Sequence, residues 1–375
     1  MRFPGDEMTA KKTKHQRILE FVRQEILGGK YKAGDQLPTD GQLMRQFSTS
    51  RPTVARAMRD LEMEGYLERR AGSGSFVRVP SQNQPSLIGM LTPEVGEHEL
   101  FQPICNEIAL QCQKHNLSLL WADAAAKSQA PEELEKSAKD LCQRYIGLGV
   151  AGVFFAPVEF SESMIVANRE IAERLDANGI SVVLLDRDIE RTPKRSRFDL
   201  VGIDNFRAGC LQTNHLLELG CKKIVYVFRE ISASTIYLRI AGFRHAMAAS
   251  GAKKEDSVEL CGNPDIESFV DLVVAEKPDA VICANDTTAM SLMRPLMQRG
   301  IKIPDDIRMV GIDDVKIASM AMVPLTSVHQ PCRAIGSAAV NTMVRRIENR
   351  AMRAHDVHVN IDLVIRDSCG SKKST

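Results

Sequence analysis

The sequence predicts an α/β protein in which a small helical head precedes a two-lobed body built on doubly wound parallel sheets. Three observations predict this fold class. Two short helices, a turn and a β-hairpin can be traced from Leu37 to Val77, a polar stretch bounded by prolines follows at 80–86, and buried strands alternate with helices from Leu87 onward. Such alternation is typical of parallel sheets covered by helices on both faces. A chain of 375 residues has room for two or three domains.

The composition is that of a globular protein with a locally basic amino-terminal part. Apolar residues make up 44% of the chain and charged residues 26%, with a formal net charge of +1. Residues 1–80 carry 15 lysines and arginines against 10 acidic residues, whereas the remainder carries 34 against 38. A basic excess confined to the head is suited to contact with nucleic acid.

The cysteines and the apolar runs predict the compartment. The nine cysteines are scattered without a CxxC pair, which indicates reduced core thiols and argues against a zinc site. No apolar run is long enough to span a bilayer, and MRFPGDEMTAKKTKHQ lacks the apolar core of a signal peptide. We therefore expect a cytoplasmic protein without a metal, a cofactor or a membrane contact.

The head is expected to span 14–79, between a disordered leader at 1–13 and the linker at 80–86. Its helices are predicted at 15–27, 40–47 and 51–64, and its hairpin at 66–77. The third helix has Pro52 in its first turn, where the missing N–H does no harm. Helical spacing predicts a buried stripe on this helix, formed by Val54, Ala57, Met58 and Leu61. The opposite face carries Thr53, Arg56 and Asp60.

A polar helix start flanked by arginine, followed by a basic hairpin, suits a DNA backbone and major groove, although periodicity alone also allows an ordinary solvated helical hairpin. The segments LPTDGQLM, TSRPTV, LEMEGYLERR and GSGSFV, in this order, closely resemble the winged helix-turn-helix of GntR-family regulators. The resemblance implies DNA contacts at Ser50, Arg51, Thr53 and Gly72, to which we add Arg56 and Arg70. Two positions depart from the family pattern, since Gly41 and Ala55 stand where basic residues are usual. Arg56, one position after Ala55, lies about 100° further round the helix.

The body is expected to span 87–368. Predicted strands lie at 86–91, 117–121, 150–155, 180–185, 200–203, 224–228, 258–261, 280–284 and 309–312. Predicted helices between them lie at 103–115, 131–148, 163–178, 208–219, 236–250, 266–276 and 287–299. We assign about 87–190 and 330–350 to an N-lobe, and about 200–328 and 357–366 to a C-lobe.

Polar residues follow several of these strands directly. They are Asp186, Asp204, Asn285 with Asp286, and Asp313 with Asp314. In open α/β sheets ligands bind beyond the carboxyl ends of strands, where carboxylates and amides suit a polyhydroxylated ligand. Each acidic residue could instead cap the following helix, and we favour that interpretation for Asp204 and Asp286.

Residues 86–368 resemble the sugar-sensing domain of LacI/GalR regulators, which is akin to periplasmic sugar-binding proteins. The segments that carry the resemblance are VGIDNFRAG, YLRIAGFRHAM, AVICANDTTAMSLMRPL, GIKIPDDIRMVGIDD, PLTSVHQPCRAIG and LVIRDSC. The resemblance implies sugar contacts from Asp186, Arg239, Asn285, Asp313 and Gln330. Phe101 is a candidate apolar wall for a sugar face, and a core phenylalanine is the alternative. A GntR-type head on such a sensor is similar to the arabinose repressor architecture.

We therefore predict a DNA-binding transcription regulator, a repressor, controlled by a small effector such as a sugar. Two chains would pair as a homodimer through the sensor lobes and present two heads to double-stranded operator DNA. We predict that it is not an enzyme, because no G-x-S-x-G, Walker P-loop or H-E-x-x-H motif is present. Two alternatives remain open at this point. One is a degenerate sensor that acts only as a dimerisation body, and the other is a sugar carrier.

Overall fold

The structure is a computed structural model that describes residues 13–32, 34–63, 65–70, 73–77, 85–92, 100–121, 131–157, 162–230 and 232–371. The chain separates into two compact units, Met1–Pro85 and Ser86–Thr375. Nearly all of the predicted leader and most of the predicted linker lie outside the described residues. Their proposed disorder and the proposed domain limits therefore stay predictions.

The first unit contains three helices and a hairpin. These are α1 (Lys14–Leu27), α2 (Asp40–Phe47), α3 (Arg51–Met63), β1 (Leu67–Arg70) and β2 (Gly74–Val77). Thr13 and Thr39 begin α1 and α2 as capping boxes, each with a glutamine three residues later. The predicted stripe of α3 is fully buried, and it packs against Ile18, Val22 and Leu43. The winged helix-turn-helix fold is confirmed, with the basic residues of α3 left on its outside.

The second unit alternates strands and helices through most of its length. Its first part contains β3 (Ser86–Leu91), α4 (Phe101–Lys114), β4 (Leu117–Trp121), α5 (Pro131–Leu148), β5 (Gly152–Phe155), α6 (Glu162–Ala177), β6 (Ser181–Leu185) and β7 (Asp199–Ile203). Its second part contains α7 (Asn205–Glu218), β8 (Ile224–Phe228), α8 (Ser234–Ala249), β9 (Ser257–Cys261), α9 (Glu267–Ala275), β10 (Ala280–Cys283), α10 (Asp286–Gln298), β11 (Arg308–Asp313), α11 (Lys316–Met320) and β12 (Thr326–His329). The chain then forms α12 (Cys332–Glu348), β13 (Asp356–Val359) and β14 (Asp362–Val364).

These strands form two six-stranded sheets. The N-lobe sheet has the order β13-β7-β6-β5-β3-β4 and is parallel throughout. The C-lobe sheet has the order β14-β12-β11-β10-β8-β9, in which only β14 runs antiparallel to its neighbour. Most inner strands are buried along their whole length, as β6 and β8 show, because helices cover both faces. The predicted doubly wound α/β fold is confirmed.

The lobe assignment of two strands was wrong. We expected residues 200–203 and 357–366 in the C-lobe, but β7 pairs with β6 and β13 pairs with β7. Of that second range only β14 joins the C-lobe sheet. The chain therefore crosses between lobes after β7, after β12 and after β13. Strand periodicity reports burial but does not say which sheet a strand joins.

Candidate functional site

The amino-terminal end of α3 is the polar surface of the head. Ser50 precedes the helix, and its carbonyl oxygen accepts from the backbone N–H of Thr53 at 3.2 Å. The hydroxyl oxygens of Ser50 and Thr53 lie 3.0 Å apart. Arg51 and Arg56 are exposed. A helix start carries partial positive charge and free N–H groups, so this surface is suited to a phosphate or a base edge.

The hairpin arginines differ in their contacts. Nε of Arg70 donates to Glu68 at 2.6 Å, and its guanidinium lies 4.7 Å from the ring centroid of Phe76. Arg69 instead donates to both carboxylate oxygens of Asp40 at 3.1 and 2.8 Å, which ties the hairpin to α2. Gly72, the other candidate in the hairpin, lies outside the described residues. Arg70 is therefore exposed and contacts only the hairpin among the described residues, whereas Arg69 is bound to α2.

Asp60 lies opposite the buried stripe of α3 but contacts α1. Its carboxylate lies 2.7 Å from Nε2 of His15 on α1, so it serves the packing of the head. The helical wheel placed Asp60 opposite the buried stripe correctly, but it could not show that α1 reaches this flank.

In the second unit, four of the sensor candidates follow strands at their carboxyl ends. Asp186 follows β6 of the N-lobe, while Asn285 and Gln330 follow β10 and β12 of the C-lobe. Asp313 is the last residue of β11. Asn285 lies at the point where the C-lobe strand order reverses, which is the usual position of a ligand crevice in such sheets.

The backbone at two of these carboxylates is left-handed. Asp186 has a φ of 69° and Asp313 a φ of 112°, and Asp314 beside it has a φ of 53°. Residues other than glycine adopt these angles at an energetic cost, and such residues cluster at functional sites.

Arg239 reaches the same region from α8. It is 4% exposed, its Nε donates to Asn205 at 2.7 Å, and its Nη1 donates to the carbonyl oxygen of Ala284 at 2.8 Å. Two glycines place it there, because α7 and α8 touch backbone to backbone. A Cβ on Gly209 would lie 2.0 Å from the carbonyl oxygen of Arg239, and one on Gly242 would lie 2.1 Å from that of Phe206.

Asp186 of the N-lobe and Asp313 of the C-lobe lie close enough to interact electrostatically. Burial raises the pKa of Asp313 to about 6, the Arg239 charge and a 2.8 Å hydrogen bond from Gln330 oppose that rise, and the nearby Asp186 adds to it. Asp186 is itself held by Arg187, whose Nη2 donates to it at 2.6 Å. The structure thus brings Asp186, Arg239, Asp313 and Gln330 together, with Asn285 next to the carbonyl that Arg239 binds.

Of the two predicted helix caps, one is confirmed and one is wrong. Asp204 accepts from the N–H of Arg207 at 2.9 Å and caps α7. The cap of α10 is Asn285 rather than Asp286, since its Oδ1 accepts from the N–H of Thr288 at 2.8 Å. This bond uses the amide oxygen of Asn285, so the remaining polar group of its side chain is the NH₂ donor.

Asp286 is instead a buried support for the Asp313 turn. Its carboxylate accepts from the hydroxyl of Ser327 at 2.7 Å and from the N–H of Val315 at 3.1 Å. Burial raises its pKa to about 8, and the nearby Asp313 adds to that rise. Sequence reasoning missed this role and that of Asn205, although each residue comes directly after a polar residue that was already a candidate, Asn285 and Asp204 respectively.

Phe101, the proposed apolar wall, begins α4. Its side chain is 3% exposed and belongs to a hydrophobic core cluster made mostly of N-lobe residues. Its neighbours in that cluster include Ile104 and Ile108 from the same helix. The described contacts thus account for Phe101 by packing alone, and its role as a wall stays a prediction.

The remaining features concern metal ligands, apolar helices and cysteines. Among the residues that the structure describes, no group of three or more histidine, cysteine or acidic side chains could hold a metal ion. No described helix is long and apolar enough to cross a bilayer. All nine cysteines are free; six of them are buried, Cys210 and Cys332 are partly buried, and Cys261 is exposed on β9.

Comparison with known proteins defines the class. Residues 14–77 match the family model described as bacterial regulatory proteins, gntR family, and residues 213–369 match the periplasmic binding protein-like domain. The chain is therefore a DNA-binding transcription regulator that joins a GntR-type winged head to a periplasmic-binding-protein-like domain.

Known transcriptional repressors match the chain over most of its length. The chain is 26% identical over 372 residues to the arabinose metabolism transcriptional repressor of Geobacillus stearothermophilus, a match that covers 95% of this chain and 97% of that protein. It is also 26% identical over 321 residues to the HTH-type transcriptional repressor PurR of Vibrio parahaemolyticus, covering 84% and 90%. A crystal structure of a LacI family regulator from Enterococcus faecium with bound ribose shares the fold, with a TM-score of 0.60, 23% identity, and coverage of 75% and 98%.

Proposed function

We propose that this chain is a repressor whose affinity for operator DNA is controlled by a sugar or sugar derivative bound between the two lobes. The observation that carries the proposal is that Asp186 of the N-lobe and Arg239 of the C-lobe both lie close enough to Asp313 to change its pKa. Carboxylates accept hydrogen bonds from sugar hydroxyls, and a guanidinium donates to paired oxygens. The arabinose repressor and the ribose-bound regulator among the similar proteins support this class of effector.

A ligand held by residues of both lobes couples binding to the relative position of the lobes. It favours the closed cleft only to the extent that it binds the closed state more tightly than the open one. Gln330 and Asp204 lie beside two of the three crossings between lobes, where a small rotation would be absorbed. In this proposal the change in lobe position alters how two heads meet the DNA.

The DNA side of the proposal rests on α3 and the hairpin. Ser50, Arg51, Thr53 and Arg56 would contact the operator from the start of α3, and Arg70 would contact its backbone from β1. The proposal also includes a homodimer, because one small head per chain reads too short a site. An exposed apolar group on and after α11, formed by Ile317, Met320 and Met322, is the surface that we assign to that pairing. A regulator of this kind works in the cytoplasm, where the DNA is, and carries out no catalysis.

A thermal-shift screen of the full-length chain against a panel of pentoses and hexoses tests the effector. We expect a selective rise in melting temperature with one sugar or a few related ones, because a ligand that binds only the folded state stabilises it. The same sugar should then change the affinity for operator DNA in a gel-shift titration. A flat response to the whole panel would favour the alternative of a degenerate sensor that acts as a dimerisation body.

A further inference from the structure

A second cleft lies in the N-lobe, at the amino end of β6 and therefore at the opposite sheet edge from Asp186. Its volume is about 470 Å³. It is lined by Ser181 and Val182 of β6, by the 195–198 segment before β7, and by residues near the end of α12 and in the loop that follows. None of the proposed sugar-binding residues lines it.

The charge of this cleft is strongly one-sided. Five arginines and one acidic residue line it, namely Arg195, Arg197, Arg346, Arg350, Arg353 and Asp176. Asp176 is shared, since Arg197 and Arg350 each bind one of its carboxylate oxygens at 2.8 Å. Arg195 is balanced from outside the cleft by Asp356, to which its Nη2 donates at 2.5 Å.

Arg346 forms the floor of the cleft and organises its rim. It is 8% exposed and makes a bidentate pair with the buried Asp199 at 2.7 and 2.8 Å. Its remaining N–H groups donate to the carbonyl oxygens of Arg350, Met352 and Arg353. A guanidinium has five N–H donors, so Arg346 is fully used in holding this loop.

Two groups remain without a partner in this part of the described structure. Arg353 is exposed on the rim, and no carboxylate or carbonyl accepts from its guanidinium among the described residues. Ser181 is 3% exposed, and its Oγ has no hydrogen-bond partner there. A buried hydroxyl without a partner is costly, and Ser181 is one of the residues that line this cation-rich cleft.

We infer that this cleft binds a phosphate group. The rim guanidiniums approach it from separate segments of chain, which suits a tetrahedral anion with several acceptor oxygens. Arg353 supplies a guanidinium without an acceptor, and Arg350 and Arg197 supply the N–H groups that Asp176 leaves unused. In this inference the Ser181 hydroxyl also donates to the phosphate. The phosphate can come from a small phosphorylated molecule or from the backbone of bound DNA.

The test for a small molecule is isothermal titration of the full-length protein with pyrophosphate. We expect saturable binding that weakens about tenfold in Arg353→Gln and about tenfold in Ser181→Ala, the scale of one hydrogen bond to a charged group. Arg294→Gln changes an exposed arginine on α10 outside the cleft and should bind like the unchanged protein. Ser181→Ala should leave the melting temperature without pyrophosphate unchanged or higher, since its hydroxyl has no partner to lose.

The test for DNA is the salt dependence of binding to a random-sequence duplex. If a backbone phosphate occupies the cleft, the slope of log K against log[salt] should fall by about one in Arg353→Gln and stay unchanged in Arg294→Gln. Pyrophosphate binding with an unchanged slope would assign the cleft to a small molecule. If both pyrophosphate affinity and salt slope are the same in Arg353→Gln, Ser181→Ala and the unchanged protein, the inference is wrong.

Discussion

The reading surface of the head and the cleft of the sensor are both polar, but they are built in opposite ways. Arg51 and Arg56 project into solvent, and their helix is stabilised from its other face. Arg239 and Gln330 are almost fully buried, and each is bonded to a neighbouring polar group. A rigid, highly charged duplex can be gripped by exposed cations, whereas a small neutral ligand needs groups that are oriented before it arrives.

This difference has a consequence for mutations. A residue on the head surface can be changed with little effect on the head itself, because its side chain contributes few internal contacts. A residue in the sensor cleft is part of a connected set, so its removal leaves buried partners unpaired.

The largest effect is expected from the sensor. Asp313→Ala and Arg239→Ala should each abolish the effect of the sugar on operator binding, because each removes a charge-assisted hydrogen bond to the ligand. Operator affinity without sugar should stay near that of the unchanged protein. Arg244→Ala, on the exposed face of the same helix as Arg239, is the matched control. Circular dichroism checks folding, and folded Asp313 or Arg239 variants that still respond at the original sugar concentration would remove them from the site.

An added Cβ should destabilise the sensor where two helices touch backbone to backbone, but it should not destabilise the head. Gly242→Ala should lower the free energy of unfolding of the sensor by about 1–3 kcal/mol, because its Cβ would meet the backbone of α7. Gly41→Ala in α2 meets nothing within 4 Å and should stabilise the head by about 0.5–1 kcal/mol. Urea unfolding followed by fluorescence and circular dichroism measures both. Equal stability of the two variants would mean that α7 and α8 can separate at no cost.

On the head, we expect a substitution to weaken operator binding without lowering the stability of the fold. Arg51→Ala should weaken operator binding by about 1–3 kcal/mol, the scale of a good base contact. Arg59→Ala, also exposed on α3 but two turns further along, should change it much less. Gel-shift titration at fixed salt with an operator selected from a random library compares them. Identical affinities for both variants and the unchanged protein would place the operator on another surface.

A change of pH should have the smallest effect, and it should act in opposite directions on folding stability and on sugar affinity. The pKa of Asp313 is about 6 in the folded chain, above its ordinary value of 3.8. As pH falls below 6 the folded state takes up this proton before the unfolded state does, so this group adds stability down to about pH 4. Sugar affinity should fall over the same range, by up to about tenfold per pH unit, because the carboxylate that accepts from the sugar is lost.

Titration calorimetry of the sugar at pH 5 and pH 7 measures this loss of affinity. Asp313→Asn provides the comparison, since an amide keeps the shape of the side chain but takes up no proton in this range. A loss of affinity in the unchanged protein that persists with equal size in Asp313→Asn would assign it to another group.

Much of this arrangement could be predicted from the chain alone. The apolar spacing of α3 determined its buried face, and the strands that end in Asp186, Asn285 and Asp313 indicated where a ligand could bind, since ligands bind beyond the carboxyl ends of parallel strands. Other parts could not be predicted. Asp286 and Asn285 are adjacent, and only the position of α10 decides which of them caps the helix and which is buried beneath the Asp313 turn.

By itself the sequence determined the elements, their buried faces and the strand ends that carry polar groups, because these depend on the chemistry of neighbouring residues. The tertiary structure decided which sheet β7 and β13 join, how closely Gly209 and Gly242 bring α7 to α8, and that arginines from two distant segments line one cleft. The physical reason is that local periodicity reports which face of an element is buried. Its partner is chosen by packing between residues that lie far apart in the chain.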